Sequence, residues 1–281
     1  MNDQAAIIIP AHNEAAVIAD TLRCLLDGLA PGEVTVIVAA NGCIDDTVSR
    51  ARQVASWITV LDIGEPGKSN AIRAAEALLG PGPRVYLDAD VWLSGSSALC
   101  VLARLRGGAG GARPPAVTDL TGASWLVRSF HRARGRLPNV QREFSGGGCY
   151  GLSWDVRRTF DLFPDVLGDD LFAARVIPDG QAEIIDAPPV VVRPPRDARS
   201  LRRVLIRNVR GNRQLGEMFP DIAPLTTKQT VTALVGSVRG VQSLADATVY
   251  AAFVTAGRCG ARHSDVRWER DESSRRTELA E

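Results

Sequence analysis

The 281-residue chain has few cysteines, three histidines and no long hydrophobic run, and these scarcities narrow what it can be. Its five cysteines are odd in number and scattered, with neither the paired spacing of a metal site nor a disulfide framework. This usage favours a reducing cytoplasm. No stretch reaches the ~18 apolar residues that a membrane-spanning helix needs. The N-terminus leads directly into an apolar strand and lacks the pattern of a signal peptide, so we expect a cytoplasmic protein.

The chain also lacks a strong excess of charge of either sign. A net charge of +1 argues against a general nucleic-acid binder. The glycine-rich Gly-x-Gly-x-x-Gly turn of a dinucleotide-binding fold is absent too, since Pro10-Ala11-His12-Asn13-Glu14 follows the first apolar run. The absence of this turn counts against an enzyme that binds a nicotinamide cofactor. The hydrophobic fraction of 45% is ample for the core of one large α/β domain.

A repeating unit of apolar strand, polar turn and amphipathic helix fills the first hundred residues. Short runs rich in Ile and Val predict buried strands over 5–9, 34–38 and 58–61, and a fourth that begins at 84. Asn13 is placed to cap a helix over 15–26. Repeats of this kind predict βαβ units and a Rossmann-like, mostly parallel sheet flanked by helices. The polar turns should then lie together along one edge of that sheet.

Two carboxylates arrive where the fourth strand should end. In an extended segment Asp88 and Asp90 would point the same way, because side chains repeat with a period of two. Like charges held together favour a neutralising cation. A hard ion such as Mg²⁺ or Mn²⁺ takes oxygen ligands and often shares itself with phosphates. We interpret the pair as a metal–diphosphate site, with a solvated Asp-x-Asp turn as the alternative.

The second half of the chain adds three further features. A glycine-rich run over 146–151, which includes Gly147, would let the backbone approach a ligand closely. Asp169 and Asp170 form a second acidic pair in apolar surroundings. A helix is predicted over 197–215, with arginines on one face at Arg199, Arg203, Arg207 and Arg210. Stacked arginines suit a phosphate, although a solvated face or one directed at acidic lipid is the alternative.

Taken in order, these motifs resemble glycosyltransferase family 2, which has the GT-A fold. The resemblance covers roughly residues 5 to 215 and rests on several ordered elements rather than on one motif. They are a Pro-x-x-Asn-Glu turn, an Asp-rich turn, a Gly-Lys-x-x-Ala element, an Asp-x-Asp motif, a later acidic pair and an arginine-rich helix. The corresponding stretches here are 10–14, 41–47, 67–71, 88–90, 169–170 and 199–210.

The resemblance implies an inverting transfer of a sugar from a nucleoside diphosphate sugar to an acceptor hydroxyl. It implies a Mg²⁺ or Mn²⁺ ion held by Asp90 with Asp88, and Asp170 as the base, with Asp169 as the alternative. The implied contacts to the nucleotide sugar are Pro10, Asn13, Glu14, Asn41, Asp45, Lys68, Asp88, Gly147, Arg207 and Arg210.

Three departures from the family pattern refine these expectations. Asn41 stands where the family has a base-reading acid, which makes uracil a less secure nucleobase. Asp169 replaces a glutamate, and the shorter side chain bears on how an acceptor is placed. The arginine helix lacks a clean Gln-x-x-Arg-Trp motif, which favours a single-transfer enzyme over a processive polymerase.

We expect a GT-A domain over 1–215, divided into a nucleotide-binding half (1–106) and an acceptor half (116–215). A helical segment over 216–260 and a charged, frayed tail over 261–281 follow. The sequence does not decide whether the acceptor is a lipid carrier, a glycan or a small metabolite. It does not indicate the oligomeric state either. A peripheral contact with the inner face of the cell membrane, through 249–254, is a minority alternative. The rival functions are a sugar-nucleotide-forming nucleotidyltransferase and a non-catalytic membrane-associated scaffold.

Overall fold

A computed structural model of the protein describes residues 4–138, 143–220 and 227–262. The chain divides into two compact units, which are described separately. The first comprises Met1–Val117, Phe144–Asp165 and Asp169–Val192. The second comprises Thr118–Glu143, Val166–Gly168 and Arg193–Glu281.

A mixed sheet of seven strands forms the centre of the first unit, in the order β3-β2-β1-β4-β8-β6-β9. The strands are β1 (Ala6–Ala11), β2 (Thr35–Asn41), β3 (Thr59–Ile63), β4 (Arg84–Leu87), β6 (Gly111–Arg113), β8 (Cys149–Leu152) and β9 (Ala182–Ile184). β1 to β4 run parallel, whereas β8 runs antiparallel to both β4 and β6. A smaller sheet has the order β5-β10-β7, with β5 (Val91–Trp92), β7 (Ala116–Thr118) and β10 (Val190–Val192). The predicted α/β class with a mostly parallel sheet is confirmed.

Six helices belong to this unit. They are α1 (Ile18–Leu26), α2 (Thr47–Val54), α3 (Lys68–Glu76), α4 (Gly95–Arg106), α6 (Trp154–Arg157) and α7 (Asp169–Val176). β1 is buried along its whole length, and Ile7 and Ile9 pack with Leu22 of α1 in the main core cluster. A strand covered on both faces must be apolar at successive positions, which is why the first runs of the sequence do not alternate. The carboxyl ends of β1 to β4 consequently share one edge, where the polar turns lie.

Two local expectations at this edge are wrong. Asn13 does not cap α1, which begins at Ile18 with Val17 before it and no side-chain cap. Asn13 instead adopts a left-handed conformation (φ 52°), which asparagine tolerates better than most residues. Its Oδ1 accepts a hydrogen bond from the Ile44 N–H at 2.7 Å, so its side chain joins the turns that follow β1 and β2.

The other error concerns the acidic pair after β4. The strand ends at Leu87, and the Val91 N–H donates to the Asp88 carbonyl at 3.2 Å, so the segment turns rather than continuing extended. The period-two argument for the two side chains therefore fails. The carboxylates are nevertheless close enough that Asp90 raises the pKa of Asp88.

The described residues of the second unit form the helices α5 (Trp125–Gly135), α8 (Ala198–Met218), α9 (Thr227–Gly236) and α10 (Val241–Ala261). The Asp197 side chain caps α8 by accepting from the Ser200 N–H at 2.8 Å. Tyr250 of α10 stacks on Phe130 of α5 with ring centroids 5.0 Å apart, and Phe253 meets the same ring edge-on. Among the residues that the structure describes, none of the helices is long and apolar enough to cross a membrane.

A buried ion cluster ties α10 to α5. Asp246 is only 1% exposed, and its Oδ1 accepts from the Ser129 hydroxyl at 2.6 Å and from Arg132 at 2.7 Å. Its Oδ2 accepts from Arg136 at 3.1 Å. Hydrogen bonds from Arg132 and from Ser129 outweigh the effect of burial and lower the pKa of Asp246 to about 2.

We predict that Asp246→Asn lowers the free energy of unfolding at neutral pH by about 2–4 kcal/mol, because it leaves a pair of arginines without their buried partner. The wild-type carboxylate has a depressed pKa, so its contribution is complete above the ordinary value near 4 and is lost as the pH falls toward 2. Denaturant unfolding at pH 7 and at pH 3 measures both effects. The stability difference between wild type and variant should shrink at the lower pH, and an unchanged difference would contradict the assignment.

Candidate active site

Lys68 joins the two acidic pairs of the first unit. It is the first residue of α3, beyond the end of β3, and its Nζ lies 2.6 Å from Asp88 Oδ1 and 2.6 Å from Asp169 Oδ1. Asp88 follows β4, and Asp169 opens α7. Residues separated by 101 positions in the chain are thus brought to the edge of the sheet that the sequence indicated.

The electrostatics of this cluster are those of an anionic site held together by one ammonium group. Burial alone would lower the pKa of Lys68, but Asp169 and Asp88 outweigh it and raise that pKa, so the side chain stays charged. Partial burial is the largest cause that raises the pKa of Asp88, to about 6, and the negative charges of Asp169 and Asp90 add to it against the effect of Lys68. Two carboxylates, of Asp88 and Asp169, therefore share one lysine, and Asp90 adds a third negative charge near Asp88.

Asp169 is held by Tyr150, a residue that sequence reasoning missed. Asp169 is 4% exposed, and its Oδ2 accepts from the Tyr150 hydroxyl at 3.0 Å. Tyr150 lies in β8 and stacks on Tyr86 of β4 at 4.8 Å between ring centroids. The Tyr86 hydroxyl in turn donates to Glu76 at 2.6 Å. The only signal in the sequence was the position of Tyr150 inside the glycine-rich run.

Asp170 faces a different set of partners. Its Oδ2 accepts from the Gly146 N–H at 2.6 Å, and its Oδ1 from the Leu171 N–H at 2.8 Å. Burial raises the pKa of Asp170, the neighbouring Asp169 raises it further, and Lys68 acts in the opposite sense. A carboxylate with raised proton affinity is suited to accept a proton near neutral pH.

The glycine run shapes the surface beside Asp88. The Asp88 N–H donates to the Gly148 carbonyl at 2.8 Å. Gly148 has a φ of +64°, and a Cβ there would lie 2.5 Å from Val91 Cγ2 and 3.3 Å from Asp88 Oδ2. Gly147, the residue named from the sequence, has only ordinary contacts around an added Cβ. The steric requirement for glycine therefore falls on Gly148, and ligand contact by Gly147 stays a prediction.

The residues expected to hold the nucleotide lie in the turns after β1 and β2. Asn41 is buried, accepts from the Gly67 N–H at 2.8 Å and donates to the Ala11 carbonyl at 2.8 Å. The buried Glu14 donates its N–H to Thr47 Oγ1 at 2.7 Å. Asp45 accepts from the Thr47 N–H at 3.1 Å and from the Ala15 N–H at 3.2 Å.

These contacts brace the two turns against each other. Pro10 is buried in β1, one residue before the strand ends. Nucleotide contact by these five residues at or after the strand ends (Pro10, Asn13, Glu14, Asn41 and Asp45) stays a prediction. Arg207 and Arg210 are half-buried residues of α8 in the second unit, and their contact with a diphosphate also stays a prediction. His263, considered as an extra metal ligand, and the charged tail lie outside the described residues.

The carboxylates of this site fit a hard divalent ion only if a bound ligand supplies further oxygen atoms to that ion. Across 4–138, 143–220 and 227–262, no three His, Cys, Asp or Glu side chains are grouped to hold a metal ion by themselves. Mg²⁺ and Mn²⁺ bound with substrate phosphates need only one or two carboxylates. The raised pKa of Asp88 marks excess negative charge that a cation would relieve. Asp88 and Asp90 thus suit an ion that is completed by a diphosphate.

We predict that Tyr150→Phe lowers kcat by about tenfold, because Asp169 loses the hydroxyl that orients it. Leaving a buried carboxylate oxygen without this donor should also lower the free energy of unfolding by about 1–3 kcal/mol. Tyr86→Phe is the matched control, since it removes a buried hydroxyl that contacts Glu76 and not Asp169. The control should lose stability and keep its kcat. Equal losses of kcat in the two variants would contradict a positioning role for Tyr150.

Comparisons with known proteins show which proteins the chain is similar to. Residues 6–113 match the model of glycosyl transferase family 2. No curated protein matches the sequence significantly. Among solved structures, a mannosyltransferase from Pyrobaculum calidifontis in complex with GDP-Man and Mn²⁺ is similar with a TM-score of 0.68 at 18% identity, over 95% of this chain and 89% of that one.

Two further solved structures are similar. TarS 1-349 from S. aureus matches with a TM-score of 0.50 at 13% identity, over 92% of each chain. A glucosyl-3-phosphoglycerate synthase from Mycobacterium tuberculosis in complex with Mn²⁺, uridine-diphosphate and glucosyl-3-phosphoglycerate matches with a TM-score of 0.44 at 20% identity, over 66% of this chain and 74% of that one. The first two likenesses support the GT-A fold.

Proposed function

We propose that the protein moves a sugar from a nucleoside diphosphate sugar to an acceptor hydroxyl, a proposal that the match of residues 6–113 to the model of glycosyl transferase family 2 supports. The transfer inverts the anomeric carbon, depends on a divalent ion and adds one sugar per cycle. The observation that carries the proposal is the convergence of Asp88, Asp169 and Lys68 at the carboxyl edge of the sheet, with Asp90 and Asp170 beside them.

The acidic pair after β4 would hold Mg²⁺ or Mn²⁺ through Asp90 and Asp88. When bound there with a diphosphate, the ion would supply positive charge to the leaving group. The Pyrobaculum protein was solved with Mn²⁺. Lys68 has its ammonium group 2.6 Å from Asp88, so it is placed to add a second positive charge at the same position.

Asp170 is the base in this proposal. It removes the proton of the acceptor hydroxyl while that oxygen forms a bond to the anomeric carbon and the bond from this carbon to the diphosphate oxygen breaks. Attack from the side opposite the leaving group inverts the carbon. Two backbone N–H donors hold the carboxylate of Asp170, and its raised pKa suits it to keep the proton. Asp169, bonded to Lys68 and Tyr150, orients the pair.

The remaining assignments complete the donor and acceptor sites. The residues Pro10, Asn13, Glu14, Asn41 and Asp45 would surround the nucleoside, and Gly147, Arg207 and Arg210 would contact the donor sugar or diphosphate. A single transfer follows from the missing Gln-x-x-Arg-Trp motif. The acceptor is a lipid carrier, a glycan or a small metabolite, and the enzyme works in the cytoplasm.

A panel of UDP-, GDP-, CDP- and dTDP-sugars tests the proposal, read as metal-dependent thermal stabilisation and then as product analysis. A glycosyltransferase releases the nucleoside diphosphate and leaves the opposite anomer on the acceptor, which NMR detects. Release of pyrophosphate from a sugar phosphate and a nucleoside triphosphate would instead identify a nucleotidyltransferase. Stabilisation by no sugar nucleotide, with or without Mn²⁺, would contradict both enzymes.

A further inference from the structure

The outer face of α10 is unusual for a helix exposed to water. We define this face by the exposed residues Val241, Leu244, Thr248, Ala251, Ala252 and Thr255. Val241 is 88% exposed and Leu244 is 56% exposed. The preceding helix, α9, exposes Val231 and Val235 one turn apart. Four large aliphatic side chains are therefore open to solvent within fifteen consecutive residues.

The outer face of α10 also carries no charge over four turns. Between Val241 and Gly257 the only ionisable acid or base of the Asp, Glu, Lys and Arg types is Asp246, and it is buried against α5. The Thr248 hydroxyl donates to the Leu244 carbonyl at 2.9 Å, and the Thr255 hydroxyl donates to the Ala251 carbonyl at 2.8 Å. Both threonines thus satisfy their donors within the helix, and the face can leave water without losing those hydrogen bonds.

The opposite face of α10 is already used. Val249, Tyr250, Phe253 and Val254 pack on the cluster around Phe130 and Leu201. The large side chains of the segment expected to contact a membrane, 249–254, therefore pack into the second unit, and only Ala251 and Ala252 of that segment belong to the outer face. The exposed aliphatic residues lie nearer the start of α10 and on α9.

The charge of the second unit indicates which kind of surface the outer face of α10 would contact. The second unit, 118–143, 166–168 and 193–281, contains 21 Arg and Lys against 12 Asp and Glu, although the whole chain has a net charge of only +1. The first unit contains 12 basic and 20 acidic residues. Arg239 precedes the outer face of α10, and Arg258 and Arg262 follow it. An apolar helical face set among arginines is the composition of a helix that lies in the interface of an anionic bilayer.

Self-association through the same face is disfavoured by the same charges. A two-fold symmetric contact would bring two strongly basic units together, and like charges repel across such an interface. An anionic lipid surface both accepts the aliphatic side chains and neutralises the arginines.

We propose that the second unit docks on anionic membrane surfaces through the outer face of α10 and the exposed valines of α9. The aliphatic side chains enter the level of the headgroups, and the flanking arginines contact lipid phosphates. This docking does not depend on the proposed glycosyl transfer, because it needs neither donor nor metal.

Sedimentation with sucrose-loaded vesicles tests the proposal on the full-length protein without donor or metal. Vesicles contain either phosphatidylcholine alone or phosphatidylcholine mixed with phosphatidylglycerol, whose negative surface potential attracts basic segments. We expect binding to the anionic vesicles, little binding to the neutral ones, and weaker binding as salt is raised. Binding to both vesicle types alike, or to neither, would overturn the proposal.

Val241→Glu/Leu244→Glu should weaken binding to the anionic vesicles by roughly tenfold or more, since two aliphatic contacts are lost and two negative charges added. Leu78→Glu/Leu162→Glu is the matched control, because it places the same two negative charges at exposed leucines of the first unit. A milder pair, Val241→Ser/Leu244→Ser, keeps the net charge and should weaken binding in the same direction. Undiminished binding by both double variants would overturn the choice of face.

Analytical ultracentrifugation of the wild type and the serine double variant tests whether a second copy of the chain covers the outer face of α10 instead. A monomer in both cases agrees with a lipid-facing surface. A wild-type dimer that the serine substitutions dissociate would assign the face to a second copy of the chain and overturn the proposal.

Discussion

Asp170→Asn is expected to lower kcat by about 10³-fold while leaving the affinity for the donor within a factor of about two. The amide cannot take a proton from the acceptor hydroxyl. It keeps the size of the carboxylate, and its oxygen can still accept from one of the two N–H groups, of Gly146 and Leu171, that hold Asp170. Single-turnover rates with saturating donor and acceptor measure the loss, and calorimetry measures donor binding.

The pH dependence of the wild type adds a second test of this base. Burial and Asp169 raise the pKa of Asp170, so the rate should fall on acidification at a pH above the ordinary range of an aspartate. Asp161→Asn, at an exposed position of the same unit, is the matched control and should leave kcat unchanged. If Asp170→Asn turns over like the wild type while Asp169→Asn does not, the base is Asp169.

Asp90→Ala is expected to lower kcat/KM by about 10²–10³-fold in saturating Mn²⁺, because the ion loses one of its two protein carboxylates. The fold should persist, since Asp90 lies in the turn between β4 and β5 and not in the core. The transfer rate across a Mn²⁺ titration, with a chelator as the zero point, measures the effect. Asp62→Ala, which removes an exposed acid from β3, is the control and should behave as the wild type.

Two results would speak against the metal assignment. One is full activity of the wild-type enzyme in chelator. The other is an Asp90→Ala variant with the same Mn²⁺ dependence as the wild type, which would move the ion to other ligands.

The sequence was a good guide wherever burial alone dictates the structure. β1 and β2 must be apolar at successive positions because helices cover both faces of the sheet, and this need is visible without coordinates. Asp197 and Ser153 are of residue types that favour helix N-caps, and their side chains cap α8 and α6 through local hydrogen bonds. Local chemistry of this kind is complete within four residues and can be recognised in the sequence.

Contacts between distant segments could not be obtained in this way. The ion pair of Lys68 with Asp169 depends on where α7 begins relative to β3, which no local pattern encodes. The hydroxyl of Tyr150 reaches Asp169 only because β8 pairs antiparallel with β4. Asn13 failed as a cap for a related reason, since its best partner is the backbone of Ile44 in another turn.

The error at Asp88 and Asp90 has a different origin. The length of β4 was overestimated. Val91 and Trp92 also favour an extended conformation, so the sequence pattern does not reveal the turn that separates β4 from β5. The turn places the two residues at the ends of a short loop instead of along one face. The metal site stays a prediction, and it requires only that the two carboxylates be close.

Mn²⁺ binding followed by electron paramagnetic resonance, with and without a nucleoside diphosphate, is the most direct test of the cation site at Asp88 and Asp90. We predict weak binding of Mn²⁺ alone, binding at least tenfold tighter with the nucleoside diphosphate, and the reciprocal tightening of the nucleotide by Mn²⁺. Asp88→Asn/Asp90→Asn should abolish this coupling. Nucleotide binding that is equally tight in chelator, or a coupling that the double variant retains, would contradict a cation held between this acidic pair and the diphosphate.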